Sequence, residues 1–157
     1  MTTEFNPEAA LERMGLTLPE PPPAGGNYVS AKCVGDLVFL AGVVSIGTAG
    51  VITGVAGEDR SVEDAYAAAR ACALLQLAVL KRQLGSLTAI REIVSLNGYV
   101  NSAPGFTDSP AAINGASDLL VSVFGEAGRH VRAAIGVSAL PRNALVEIQM
   151  TVRVEAE

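Results

Sequence analysis

Apolar positions change their period along this chain. From Ser61 to Leu84 they fall at Val62, Tyr66, Ala69, Ala73, Leu77, Leu80 and Leu84, steps of three and four that draw one stripe down a helix. Ser61 followed by Asp64 gives that helix a capping box, Lys81 and Arg82 suit its C-terminal end, and Gly85 closes it. A shorter helix starts at Asn6-Pro7-Glu8 and stops at Gly15. Pro19 to Gly26 then reads as a stiff, turn-rich linker. Tyr28–Val34 and Leu37–Val44 are strand-like and joined at Gly35-Asp36, a dipeptide that suits a tight hairpin. Gly47 to Gly57 is a glycine-rich loop with a short Val51-Ile52 strand piece, and its spacing matches neither GxGxxG nor a Walker motif. Ile90–Val100 is a strand. Asp108 or Ser109 opens a further helix that runs to Phe124, with Gly125 and Gly128 beyond it. Gly115 inside that helix costs ~1 kcal/mol relative to Ala, so its presence suggests that another backbone passes close by.

The chain ends in two more apolar strands around a Leu140-Pro141-Arg142-Asn143 turn. Alternation sorts their faces. In the first, Ala133, Ile135, Val137 and Ala139 share one face, and Arg132, Ala134, Gly136 and Ser138 the other. In the second, Val146, Ile148, Met150, Val152 and Val154 make an apolar face, opposite Leu145, Glu147, Gln149, Thr151 and Arg153. Taken as a hairpin, the pair places Arg132 and Glu147 on a small or polar side away from the main core. Gly136 then lies opposite Glu147, with Arg132 four residues further along. Pattern alone is compatible with two solvated charges. Small neighbours of Arg132 would also leave room for a ligand, a reading that pattern alone favours less. The predicted order is a helix, three strands, a long helix, a strand, a helix and two strands, with two helices over one face of a mixed sheet: an α+β single domain.

Composition narrows the function classes. At 157 residues the chain is long enough for a sizeable core, and half of it is hydrophobic. A net charge of −5 argues against a nucleic-acid backbone as the main partner. One His and two distant cysteines, Cys33 and Cys72, give no metal-ligand cluster, and both thiols read as buried and free. No apolar run approaches the ~20 residues of a membrane span, and no secretory signal is visible at the start, so a cytoplasmic protein is expected. His130 suits either of two roles, donating to a backbone carbonyl at a helix end or shaping the entrance to a site.

An Arg opening a small-residue strand, then Leu-Pro, then Val-Glu resembles the C-terminal signature of the RidA/YjgF family, over residues 26 to 155. Asn27-Tyr28-Val29 is similar to that family's N-terminal Tyr segment, and Leu40-Ala41-Gly42 to its Ser-Gly segment. The resemblance implies a chorismate-mutase-like fold and a homotrimer with ligand sites in clefts between subunits. It also implies cofactor-free hydrolysis of small 2-imino acids to 2-keto acids and ammonia. In that frame Arg132 clamps the substrate carboxylate with its planar fork. Glu147 orients or activates the attacking water. Tyr28, Gly42 and Ala134 line the pocket, Tyr28 and Gly42 from the partner subunit, and Asn114 is a further polar group within reach. Residues 1–25 form a lead longer than small RidA proteins carry, and residues 26–157 the family domain. Ala134 stands where the family often has Cys or Ser, Val43-Val44 follow Gly42 where a polar residue is usual, and the Val100–His130 segment is longer and richer in glycine. The branch it most resembles is often labelled an endoribonuclease, which an acidic chain with 4% aromatic residues supports weakly. Two further functions on the same scaffold remain open: a non-catalytic module binding small carboxylates, and a structural or chaperone-like interaction protein.

Overall fold

Side-chain caps open the first two helices. In the computed structural model, which describes residues 6–155, the Asn6 side chain accepts from the Glu8 and Ala9 amides and opens α1 (Pro7–Arg13). Ser61 and Asp64 complete a reciprocal capping box at the head of α2 (Val62–Leu84). Asp108 precedes α3 (Ser109–Phe124), and Gly125 ends it at φ 61°. The strands are β1 (Ala31–Val34), β2 (Leu37–Leu40), β3 (Val43–Val44), β4 (Ile46–Gly47), β5 (Gly50–Val51), β6 (Ile90–Asn101), β7 (Val131–Val137) and β8 (Val146–Val154). β4 and β5 make a small separate ribbon. The main sheet runs β1-β2-β8-β6-β7, with β3 also on β8. α2 and α3 pack together on one face of it, as the pattern predicts. The sequestered core includes Leu77, Leu80, Leu96, Ile113, Leu120, Ile148 and Met150. α1 packs against α3 and puts Leu11 into that core.

The last two strands are not a hairpin. β6 lies between them, antiparallel to β8 and parallel to β7. α3 is the crossover that lets β6 and β7 run in the same direction. This arrangement corrects the faces of β7 and leaves those of β8 as expected, with Val146, Ile148, Met150 and Val152 buried. Leu96 is in register with Met150 on one side and Arg132 on the other, so Arg132 points to the helix-covered face with the fully buried Met150. Tyr99 is in register with Glu147 and with Ile135, which stand together on the bare face. Ala134 and Gly136 face the helices, and Ile135 and Val131 are exposed. Alternation along β7 was legible, but its core side was not, because an edge strand carries small residues toward the helices and large ones toward the open face. Cys33, too, is exposed on the outer strand β1; only Cys72 is buried.

Gly115 is where α2 and α3 touch. A Cβ built there would stand 2.0 Å from the Tyr66 carbonyl oxygen, so only hydrogen allows this approach. Gly115→Ala is expected to destabilise the fold by about 1–3 kcal/mol through overpacking, despite the better helix propensity of Ala. Chemical denaturation reads this. An unchanged midpoint would mean that the two helices can slide apart freely.

The predicted Leu37–Val44 strand is split by a bulge. From Phe39 to Val43 is four steps, while their partners Thr151 and Ile148 are three apart. Side chains from opposite faces capture the carbonyls this frees. Gln149 Nε2 donates to the Leu40 oxygen at 3.0 Å, and Gln76 Nε2 to the Ala41 oxygen at 2.9 Å.

Candidate functional site

The bulge sets Gly42 against Glu147. A Cβ at Gly42 would come within 2.9 Å of Glu147 Oε2, so the glycine leaves space for the carboxylate to stand upright on the bare face. Around it is a pocket of about 550 Å³, walled also by Tyr28, Val44, Arg142 and the Pro22-Pro23-Ala24-Gly25 segment. The Tyr28 hydroxyl accepts from the Gly25 amide at 2.9 Å, which leaves its proton free to donate elsewhere. Burial raises the pKa of the Glu147 carboxyl. Three expected site residues, Tyr28, Gly42 and Glu147, therefore share one pocket of one chain, which corrects the expectation that Tyr28 and Gly42 meet Glu147 from the partner subunit.

Beneath the pocket α2 supplies two side chains that the sequence did not assign to it, Gln76 and the Cys72 already read as a buried thiol. Gln76 is fully buried, and its amide donates to the carbonyls of both Ala41 and Ile148, the neighbours of Gly42 and Glu147. It thereby ties the bulge to the strand that carries the carboxylate. One turn earlier the Cys72 thiol lies 3.7 Å from the carbonyls of Val43 and Val146. Burial, then the nearby Glu147, keeps this thiol protonated. The available signal was a lone Gln, one turn after Cys72, inside an otherwise Ala- and Leu-rich stretch.

Arg132 belongs to a different cluster. Its Nη1 donates to Asn114 Oδ1 at 2.7 Å and to Ser117 Oγ at 3.2 Å, and its Nη2 to the Pro110 carbonyl at 3.3 Å. Asn114, Ser117 and Pro110 all lie on α3, so the guanidinium is held as a plane against the helix. His130 Nδ1 is 2.7 Å from the Gly128 oxygen, and a carbonyl only accepts, so that nitrogen carries the proton. Nε2 then accepts the Ser117 hydroxyl at 2.9 Å, and Ser117 in turn accepts from Arg132. Burial first, and the Arg132 charge after it, lower the pKa of His130, opposed by its bond to Gly128. His130 thus fills the carbonyl-donor role and also steadies the Arg cluster. Ser117, three residues after Asn114, could have been found from helical spacing. Ala134 lies two residues along β7 on the same face, partly buried.

Within one chain, then, Arg132, Asn114 and Ala134 lie on the helix side of the sheet, and Tyr28, Gly42 and Glu147 on the other. Among the described residues no group of three or more His, Cys, Asp or Glu side chains could hold a metal ion. No helix among them is long and apolar enough to cross a membrane.

Comparison with known proteins gives consistent relatives. The family model described as "YjgF/chorismate_mutase-like, putative endoribonuclease" matches residues 8–154. Protein TCP17 of Trypanosoma cruzi is 42% identical over 146 residues, covering 92% of this chain and 91% of that protein. The crystal structure of the Agrobacterium tumefaciens protein Atu1372, of unknown function, is 40% identical with a TM-score of 0.88, over 95% of this chain and 92% of that one. A Shewanella oneidensis structure, also called a "putative endoribonuclease", is 35% identical with a TM-score of 0.91, over 95% of this chain and 99% of that one.

Proposed function

The chain belongs to the RidA/YjgF family, and we propose that it hydrolyses small 2-imino acids to 2-keto acids and ammonia at sites completed between subunits of a homotrimer. Water adds across the C=N bond, one proton going to nitrogen; the hydroxyl then gives up its proton as the C=O bond forms and the C–N bond breaks, so ammonia leaves with both protons of the water. The observation that carries the reading is the half-buried Glu147 carboxylate beside Gly42 and Tyr28, whose burial raises its proton affinity toward that of a useful base. Arg132 of a neighbouring subunit supplies the carboxylate clamp that one chain alone does not bring to this pocket.

A trimer also accounts for the bare face of the sheet. Phe39, Ile135 and Val131 are 43%, 50% and 71% exposed there. A second copy covering them would remove apolar surface from water. Light scattering at micromolar concentration is expected to give three times the 16.1 kDa chain mass. A monomeric mass would remove the shared site and with it this mechanism.

One observation favours a second reading, a non-catalytic carboxylate-binding module. Both terminal nitrogens of Arg132 already have partners within their own chain. Generating 2-imino acids in situ with an amino-acid oxidase separates the two. The deaminase reading predicts keto-acid release faster than the uncatalysed rate, and the module predicts binding without acceleration.

A further inference from the structure

One charge in the Glu147 pocket is not used by the chemistry above. Arg142 lines that pocket together with Tyr28, Gly42 and Glu147. Among the described residues the ion pairs and side-chain hydrogen bonds involve other groups, so its guanidinium is uncommitted. Its backbone is left-handed, at φ 57° and ψ 25°, and Asn143 follows at φ 57°. Two consecutive non-glycine residues hold this conformation only where their surroundings fix it.

Those surroundings are present. The Asn143 amide donates to the Leu140 oxygen at 3.1 Å, the Ala144 amide to the Pro141 oxygen at 3.1 Å, and the Gly54 amide to the Asn143 oxygen at 3.0 Å. The buried Asn101 donates through Nδ2 to Asn143 Oδ1 at 3.2 Å and to the Ala144 oxygen at 3.2 Å. The turn is therefore pinned to β5's loop on one side and to the end of β6 on the other. It fixes the backbone from which Arg142 projects at the pocket wall.

Arg142 does not cancel Glu147. A guanidinium paired with that carboxylate would pull its pKa down, whereas burial raises it with no opposing cation. Opposite charges thus line one pocket, and among the described residues no ion pair joins them. A volume of about 550 Å³ accommodates a small diacid.

We propose that Arg142 is a second anion-binding group of this pocket and that it selects 2-imino acids bearing a further carboxylate at the end of their side chain. The inference rests on the deaminase reading. The substrate's C1 carboxylate meets Arg132 of the neighbouring subunit, its imine carbon faces Glu147, and its distal carboxylate meets Arg142.

The test compares imines generated in situ from aspartate and from alanine, as kcat/KM ratios, in the wild type and in Arg142→Gln. The wild type is expected to prefer the diacid imine. Arg142→Gln should lower that preference about 10- to 150-fold, the range of one charge-assisted hydrogen bond, and Arg142→Lys should restore part of it. No preference in the wild type, or an unchanged ratio in Arg142→Gln, overturns the proposal. Calorimetry with oxaloacetate and pyruvate separates this failure from that of the deaminase reading. If neither imine is turned over, selective loss of oxaloacetate affinity in Arg142→Gln still sustains the Arg142 assignment. Equal affinities for the two ligands in wild type and variant would end it.

Discussion

Arg132→Lys is expected to lose most of the turnover of 2-imino acids while the fold survives. The guanidinium is oriented by α3 through Asn114, Ser117 and the Pro110 carbonyl, so its plane and remaining N–H groups are fixed before any ligand arrives. A lysine ammonium can take one of those bonds but cannot present a planar fork to a carboxylate at the same time. Losing one charge-assisted bond of ~1.5–3 kcal/mol corresponds to a fall in kcat/KM of roughly 10- to 150-fold. Stability should move little, because the side chain is exposed at the sheet edge. Keto-acid release and a thermal melt on the same preparation check both halves. Wild-type turnover in Arg132→Lys would remove the clamp from the mechanism.

The features that were legible in the sequence are local ones. Asn6, the Ser61–Asp64 box, Gly85 and Gly125 act over one helical turn, and the helices start and stop where they indicate. The α2 stripe holds in its middle, with Ala69, Ala73, Leu77 and Leu80 buried; Ala65, Ala68, Cys72 and Gln76 widen it because two layers, sheet and α3, meet the helix. Tyr28, Gly42 and Glu147 could be named from the family resemblance and meet in one pocket. Illegible was the insertion of β6 between β7 and β8, which depends on pairing across long sequence distances. A period of two is unchanged when a strand is turned over, so β7 offered no local means to learn which face the helices cover. Gln76 was missed for a related reason. Its partners are carbonyls of a bulge, and a bulge appears only once register is known.

Glu147→Gln should reduce the chemical step and leave keto-acid binding nearly intact, whereas Arg132→Ala should abolish that binding. Arg132 and Glu147 lie two strand spacings apart and three residues out of register, on opposite faces. At ~4.8 Å between strands and ~3.3 Å per residue this is roughly 14 Å, so they form no ion pair within one chain. The hairpin reading, with Arg132 four residues from the position opposite Glu147, implied a similar separation of roughly 13 Å, but through a register the sheet does not have. Removing a general base costs ~10²- to 10⁴-fold, and that loss should appear in kcat. Calorimetry with pyruvate on the two variants reads the binding half. Protonation gives a second readout. Burial raises the Glu147 carboxyl, so the base is lost as pH falls through a value above the ordinary carboxylate range, and the acid limb of kcat should sit there and vanish in Glu147→Gln. The same shift fixes the sign for stability. The folded state holds this proton more tightly than the unfolded chain, so the stabilisation is complete below the unfolded pKa and lost as pH rises through the folded one. Near neutrality Glu147→Gln should therefore melt no lower than the wild type. A lower melting temperature together with equal loss of pyruvate affinity in both variants would make Glu147 a structural partner of the Arg132 site and end its role in activating water.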